Sequence, residues 1–288
     1  MAQVLVAGAS GRLRPVVSEL LSAGHRVRVT ARNPSGAGAR ELSSRGAEIA
    51  QADLDDRASL TAAMAGMDAV FGAGSPHQAG PEGETRHGIN LAEAAADAGV
   101  GHLVFSSGDG ADRPTGVPVL ESKRAVEVRI RELGLPHTIL APVYFMENVF
   151  NPWNLGALAA QRFPLPLPPE RPLQQLAIEA LAAVAALVIE RGPDGDRRIA
   201  LAGDELTGEE AAAGVARATR RPFTFEHVPL ETLPPGMRLL FGWLDREGHA
   251  VDISAVRNEF PGVRWQSFED WASAQPWPVG ERANSDVL

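Results

Sequence analysis

Short apolar runs rich in β-branched residues recur through the first half of the chain, at 3–8 (QVLVAG), 26–31 (RVRVTA), 47–50 (AEIA), 68–73 (DAVFGA), 102–107 (HLVFSS) and 137–142 (HTILAP). Each is bounded by Gly, Pro or Ser, which predicts six strands. Helical spacing of apolar residues fills the intervals 13–23, 57–65, 84–98 and 121–133. Strands alternating with helices imply right-handed parallel crossovers, so the expected fold class is α/β, a doubly wound parallel sheet. The run at 102–107 is apolar at nearly every position, as a central strand covered on both faces should be. Its polar end, Ser106 and Ser107, therefore stands out.

The pattern changes near residue 144, because fourteen of the sixteen aromatic residues, including Tyr144 and all five tryptophans, lie at or beyond it. Residues 163–172 (FPLPLPPERP) hold five prolines and are expected as an extended loop, since proline fits neither a helix interior nor a central strand. Beyond it, 177–192 predicts a helix ended by Gly192, 197–203 a strand, and 207–221 a helix capped at Thr207 or Gly208. The remainder offers a strand at 223–228, one or two helices and a Trp-rich stretch at 265–277. The expected organisation is a nucleotide-binding domain at 1–150 and a smaller α+β part at 151–288 for substrate or partner, with about 176–203 packing back on the sheet.

Composition narrows the function classes. With 288 residues, 44% apolar and 22% charged, the chain is expected as a globular protein, and no apolar stretch is long enough to span a bilayer. The absence of cysteine removes disulfides and thiolate chemistry, and the start lacks the features of an export signal, so a cytoplasmic location is expected. The seven histidines are scattered, giving no metal site. A net charge of −9 opposes binding to nucleic acid.

The first strand runs into GASGRLRP, Gly8 to Pro15. In a strand–turn–helix nucleotide site the first glycine permits the turn, the second lets backbone approach a pyrophosphate, and the helix N-terminus supplies N–H donors. Gly8 and Gly11 fill those places, though a plain turn relieved by glycine has the same pattern. The third glycine is replaced by Arg14, which either adds a phosphate ligand or obstructs one. After the second strand, Arg32 stands where an acidic residue would hold a ribose 2′-hydroxyl. With Arg12 and Arg14 it favours a 2′-phosphate, hence NADP(H) over NAD(H). Asp53 ends the third strand, where a carboxylate can accept from an adenine amine, while Asp55 and Asp56 suit helix caps.

Together, VLVAGASGRL, VRVTARNP, ADLDD, AVFGAGSP, GINLAEAAADAGVGHLVFSS and TILAPVYFMENVF resemble, in order, the NmrA-like branch of the atypical short-chain dehydrogenase/reductases. The resemblance implies a Rossmann domain that binds NADP(H), with contacts from Gly8, Ser10, Gly11, Arg12, Leu13, Arg14, Arg32, Asp53 and Leu54. Gly74, Ser75 and Pro76 would border the adenosine, Ser106 and Ser107 would face the nicotinamide, and Tyr144 and Asn148 would lie on the nicotinamide side. The wider superfamily places a catalytic Tyr four residues before Lys, and here VLESK has Val119 in that place with Lys123 retained. Lys123 would orient cofactor and supply charge or a proton, with Ser107 and Tyr144 as further catalytic candidates. As a plain helix residue, Lys123 would instead pair with Glu127, four residues on; Tyr144, likewise, would bond a substrate oxygen or simply pack.

The expected function is NADPH-dependent hydride transfer to an aromatic or conjugated carbonyl acceptor such as a quinone, a small molecule. Two alternatives stay open. One is a non-catalytic NADP(H)-sensing regulator that docks to a protein partner or a second copy; the other is a biosynthetic enzyme that uses the cofactor without net redox.

Overall fold

The computed structural model describes residues 1–8, 13–74 and 76–278. They fall into two compact units built from discontinuous stretches of chain. The first takes Met1–Val143, Ile178–Ala202 and Val251–Trp265, and the second Tyr144–Ala177, Gly203–Ala250 and the chain from Gln266 onward.

The first unit opens with β1 (Gln3–Val6), α1 (Arg14–Ser22), β2 (Arg26–Ala31), α2 (Ala37–Ser44), β3 (Glu48–Gln51), α3 (Arg57–Met64), β4 (Ala69–Ala73), α4 (Pro76–Asp97), β5 (His102–Ser106), α5 (Pro118–Leu133) and β6 (His137–Pro142). The second then takes β7 (Tyr144–Phe145), α6 (Leu155–Ala159), β8 (Arg162–Leu165) and β9 (Leu173–Leu176). The chain gives α7 (Ile178–Arg191) and β10 (Arg197–Leu201) to the first unit, then β11 (Asp204–Leu206), α8 (Gly208–Thr219), β12 (Thr224–His227) and α9 (Pro235–Arg246) to the second. Finally α10 (Ile253–Glu259) belongs to the first and α11 (Phe268–Ser273) to the second.

All the predicted strands of the first half enter one seven-stranded sheet of order β10-β6-β5-β4-β1-β2-β3. Every neighbouring pair in it is parallel. The chain order reverses at β1, which has β2 on one side and β4 on the other, so the crossovers before and after the reversal cover opposite faces and leave a crevice at the strands' carboxyl ends. Every residue of β5 and β6 is buried, as a two-sided core requires.

One core cluster joins Leu5, Val70, Leu103, Phe105 and Ile139 of the sheet to Leu60 and Met64 of α3, Leu91 of α4, and Val126 and Ile130 of α5. The helices α4 and α5 meet closely because Gly88 has no side chain. A Cβ there would lie 2.5 Å from Cγ2 of Val126. On α7, nine residues are buried, and it packs against α1, which buries Val16, Val17 and Leu20.

Some local features differ from expectation. The first strand stops at Val6. A helix absent from the sequence reading, α2, forms from the weakly patterned AGARELSS. The helix expected at 84–98 starts earlier, as α4, and is interrupted at Gly80, whose φ of 67° and ψ of −178° break the helix before Pro81 restarts it. Part of the proline-rich segment is strand rather than loop. β8 pairs in parallel with β12, with Pro164 opposite Glu226, in a two-stranded sheet where a missing N–H is tolerated at an edge. Beyond residue 222 the described residues hold three α-helices, α9, α10 and α11, instead of one or two.

His102, first residue of β5, is only 2% exposed and shares a 3.0 Å hydrogen bond between Nε2 and Oγ1 of Thr138. Burial, and then the neighbouring His137, push its pKa down from 6.5 to about 4. The unfolded chain therefore takes up this proton near pH 6.5 and the folded chain only near pH 4. The stability that depends on it is complete above 6.5 and declines as pH falls toward 4. In urea unfolding, the stability of the parent relative to His102→Gln should drop by about 2 kcal/mol between pH 7 and pH 5.

Candidate cofactor site

Parallel strands of one sheet deliver the residues that follow them to a single edge. Gly8 after β1, Arg32 after β2, Asp53 after β3, Gly74 after β4 and Ser107 after β5 therefore share the carboxyl edge, with Ser106 ending β5 itself. Gly8 has φ of +72°, in the left-handed region that favours glycine, so the chain can turn sharply off the strand. Its N–H donates to Oγ1 of Thr30 on β2 at 3.2 Å. The predicted contacts Ser10, Gly11, Arg12 and Ser75 lie outside the described residues, and Pro76 opens α4.

Leu13 precedes α1 as its N-cap residue, and Arg14 begins the helix. The Arg14 guanidinium pairs with Glu41 of α2 at 2.8 Å, with both side chains more than a third exposed. Arg32 differs: among the described residues it forms no ion pair and no hydrogen bond, and it is exposed. The loop behind it is ordered without its help. Asn33 Oδ1 accepts from the Ser35 N–H at 3.0 Å, and Arg40 donates to the Ser35 carbonyl at 2.7 Å.

Asp53 receives the Asp55 N–H on Oδ1 at 3.1 Å, and its own N–H donates to Ser59 Oγ at 3.0 Å. The Leu54 carbonyl accepts from Asn90 Nδ2 at 2.8 Å, which ties this loop to α4. Asp56 caps α3 through the Ser59 N–H. Asp55 is no cap: it binds Arg86 at 2.7 Å and His87 at 3.1 Å, and these hydrogen bonds hold its carboxyl below the usual carboxylate range.

The sequence reading missed two buried carboxylates that organise the rest of the edge. Glu84 of α4 is 1% exposed and accepts from Ser122 Oγ and from Lys123 Nζ, each at 2.5 Å. Lys123 thus pairs across to α4 and not with Glu127 along its own helix. Glu127, fully buried, accepts instead from Ser107 Oγ at 2.5 Å, from Arg131 at 2.8 Å and from Arg198 Nε at 3.3 Å. Arg198 also donates to the Gly108 carbonyl at 2.8 Å, so β10 holds the loop after β5 in place. The sequence carries one signal of this pairing: Lys123 is the one lysine among 27 Lys and Arg side chains.

Tyr144 and Asn148 belong to the second unit. Tyr144 starts β7, in register with Gln175 of β9, and its ring meets Phe241 edge-on at 5.9 Å. Asn148 lies in a short 3-10 turn, Met146–Phe150, where Met146 is buried and Glu147 accepts from Trp271 Nε1 at 3.0 Å.

Beside Ser122 lies a cavity of about 550 Å³, bordered by Gly80, Pro81, Glu82, Thr85, Pro118 and Glu121. A second, of about 340 Å³, sits at the amino ends of β1 and β2, away from the edge described above. Among the described residues no group of three or more acidic or histidine side chains could hold a metal, and no helix is long and apolar enough to cross a membrane.

A doubly wound parallel sheet with a glycine turn after its first strand defines a Rossmann-type α/β unit. The chain belongs to the NmrA-like family, whose model matches residues 1–242. It is 30% identical over 285 residues to a (4-alkanoyl-5-oxo-2,5-dihydrofuran-3-yl)methyl phosphate reductase of Streptomyces griseus subsp. griseus, covering 94% of this chain and 96% of that one. In fold it is similar to an NADPH-dependent quinone oxidoreductase of Escherichia coli complexed with NADPH, with a TM-score of 0.79, 22% identity and coverage of 94% and 98%. It is also similar to NmrA, a negative transcriptional regulator, in complex with NADP, with a TM-score of 0.75, 23% identity and coverage of 99% and 98%.

The Glu127 network makes a direct claim on stability, since removing one member of a buried charge pair strands the other. Glu127→Ala should cost about 3–5 kcal/mol in urea unfolding. Ser107→Ala removes one neutral donor to the carboxylate and should cost about 1–3 kcal/mol.

Proposed function

We propose that this protein is an NADPH-dependent oxidoreductase that transfers hydride to an aromatic or conjugated carbonyl acceptor, a quinone being the simplest case. The observation that carries the reading is Arg32, a cation without a partner among the described residues, at the end of β2 beside the Gly8 turn. A guanidinium there suits a ribose 2′-phosphate, which it can grip with two parallel hydrogen bonds. The names of the Streptomyces reductase and the Escherichia coli quinone oxidoreductase support the same class of chemistry.

Bound along the carboxyl edge, NADPH would supply the hydride. The residues of the chain bind and orient. Gly8 and the start of α1 would receive the pyrophosphate, because a helix N-terminus presents unsatisfied N–H groups to an anion. Arg32 would hold the 2′-phosphate and Asp53 the adenine amine. Lys123 would donate to the nicotinamide end. With Val119 in place of a tyrosine, no phenol hands a proton to the acceptor from that position. A quinone suits this, since its conjugated ring delocalises the charge delivered with hydride and water can protonate the product.

Titration calorimetry should show NADPH binding more tightly than NADH. Arg32→Ala should weaken NADPH about 10- to 100-fold and leave NADH nearly unchanged. Equal losses for both nucleotides would remove Arg32 from the phosphate site.

Simple quinones added to protein and NADPH should cause loss of reduced-nicotinamide absorbance. Tight NADPH binding with no turnover across a broad acceptor panel would overturn the reductase and favour a nucleotide-sensing protein.

A further inference from the structure

Lys123 stands apart in composition and in setting. The chain meets every other Lys/Arg position with arginine, and keeps its one lysine in a largely buried setting. The side chain runs past Gly108, where a Cβ would come 3.3 Å from its Cδ. Its Nζ reaches Oε1 of Glu84 at 2.5 Å, with the Val119 carbonyl more distant at 3.5 Å. Only 14% of the lysine side chain and 1% of the glutamate are exposed.

The glutamate is as closely fitted as the lysine. A Cβ at Gly74, just after β4, would lie 2.4 Å from Glu84 Oε1. The other carboxylate oxygen takes the Ser122 hydroxyl at 2.5 Å. Three separate features thus serve one carboxylate: the missing side chain at Gly74, the hydroxyl of Ser122 and the ammonium of Lys123. A buried carboxylate needs such matching, because its desolvation is otherwise uncompensated.

We propose that Glu84 is the positioning residue for Lys123, fixing the ammonium at the carboxyl edge and cancelling its charge. The pair then presents a directed N–H donor with no net charge, suited to a neutral polar part of the cofactor such as a sugar hydroxyl or a carboxamide. Phosphate charge is left to Arg32. This rests on the nicotinamide-cofactor reading above, and deepens it by dividing the cofactor between two kinds of cation.

The test compares NADPH with adenosine 2′,5′-bisphosphate, which keeps the adenosine and 2′-phosphate but lacks the nicotinamide ribose. By calorimetry, Glu84→Gln and Lys123→Met should each weaken NADPH about tenfold and change the bisphosphate by less than about twofold. The double variant should bind NADPH no worse than Lys123→Met alone, because Glu84 acts through the lysine. Losses of equal size for both ligands, additive losses in the double variant, or no loss at all would each overturn the assignment.

A second readout is independent of cofactor. Selective ¹⁵N-lysine labelling of this single-lysine chain yields one side-chain ammonium resonance. It should be protected from exchange in the free parent protein and lost in Glu84→Gln, with thermal melting showing that the variant is folded. The same resonance in both proteins would overturn the positioning role. A parent protein that binds neither nucleotide would instead overturn the cofactor reading, and with it the ligand assigned to the pair, while the resonance still reports on the pair itself.

Discussion

Two buried carboxylates set the terms for the carboxyl edge of the sheet. Glu84 and Glu127 are 1% and 0% exposed, and a charge so far from water must find compensation within the protein. Each takes it from a different source. Glu127 draws Ser107, Arg131 and Arg198 together, so a loop after β5, a helix and the edge strand β10 are bound to one point. Glu84 draws Ser122 and Lys123, joining α4 to α5 one turn nearer the start of α5. The close contact of these helices at Gly88 is the apolar complement of the two polar ties.

This arrangement separates residues that look alike in the sequence. Ser106 and Ser107 stand out together as the polar end of an apolar strand, yet the Ser107 hydroxyl is directed at Glu127, inside the protein. Its hydrogen is thereby committed to a structural bond. Lys123 has the opposite character: its ammonium has three hydrogens, and a single close partner leaves donors to spare. Of the two, the lysine is the better placed to meet a ligand.

The sheet was legible because strand and helix periods differ, and β1 to β6 announce themselves as compact apolar runs between glycines and prolines. Where the pattern was faint, the reading failed. AGARELSS carries one long apolar side chain, Leu42, which suffices to dock α2 but not to signal it. Pro164 marked a break in sequence, although an edge strand such as β8 can spare an N–H. The candidate site was legible only as a set of positions after strand ends, where Gly8, Arg32, Asp53 and Gly74 stand. Glu84 and Glu127 were not, because in sequence a buried glutamate on a helix looks the same as a solvated one. Lys123 lies 39 residues from Glu84 and Ser107 20 residues from Glu127, beyond the reach of helical spacing, and Arg131 alone stands at such a spacing from Glu127.

Arg14 gains a physical context as well. It replaces a glycine that elsewhere lets helix and strand pack closely, and the structure takes its guanidinium to Glu41 on α2. Both side chains of that pair remain more than a third exposed, and an ion pair so open to water contributes little stability. Lys123 is held in the opposite way, by a carboxylate with no other cation within reach in the described contacts and almost no access to water. Exposure therefore divides the cations of the edge: Arg14 and Arg32 stand open to water, and Lys123 is fixed against a buried carboxylate.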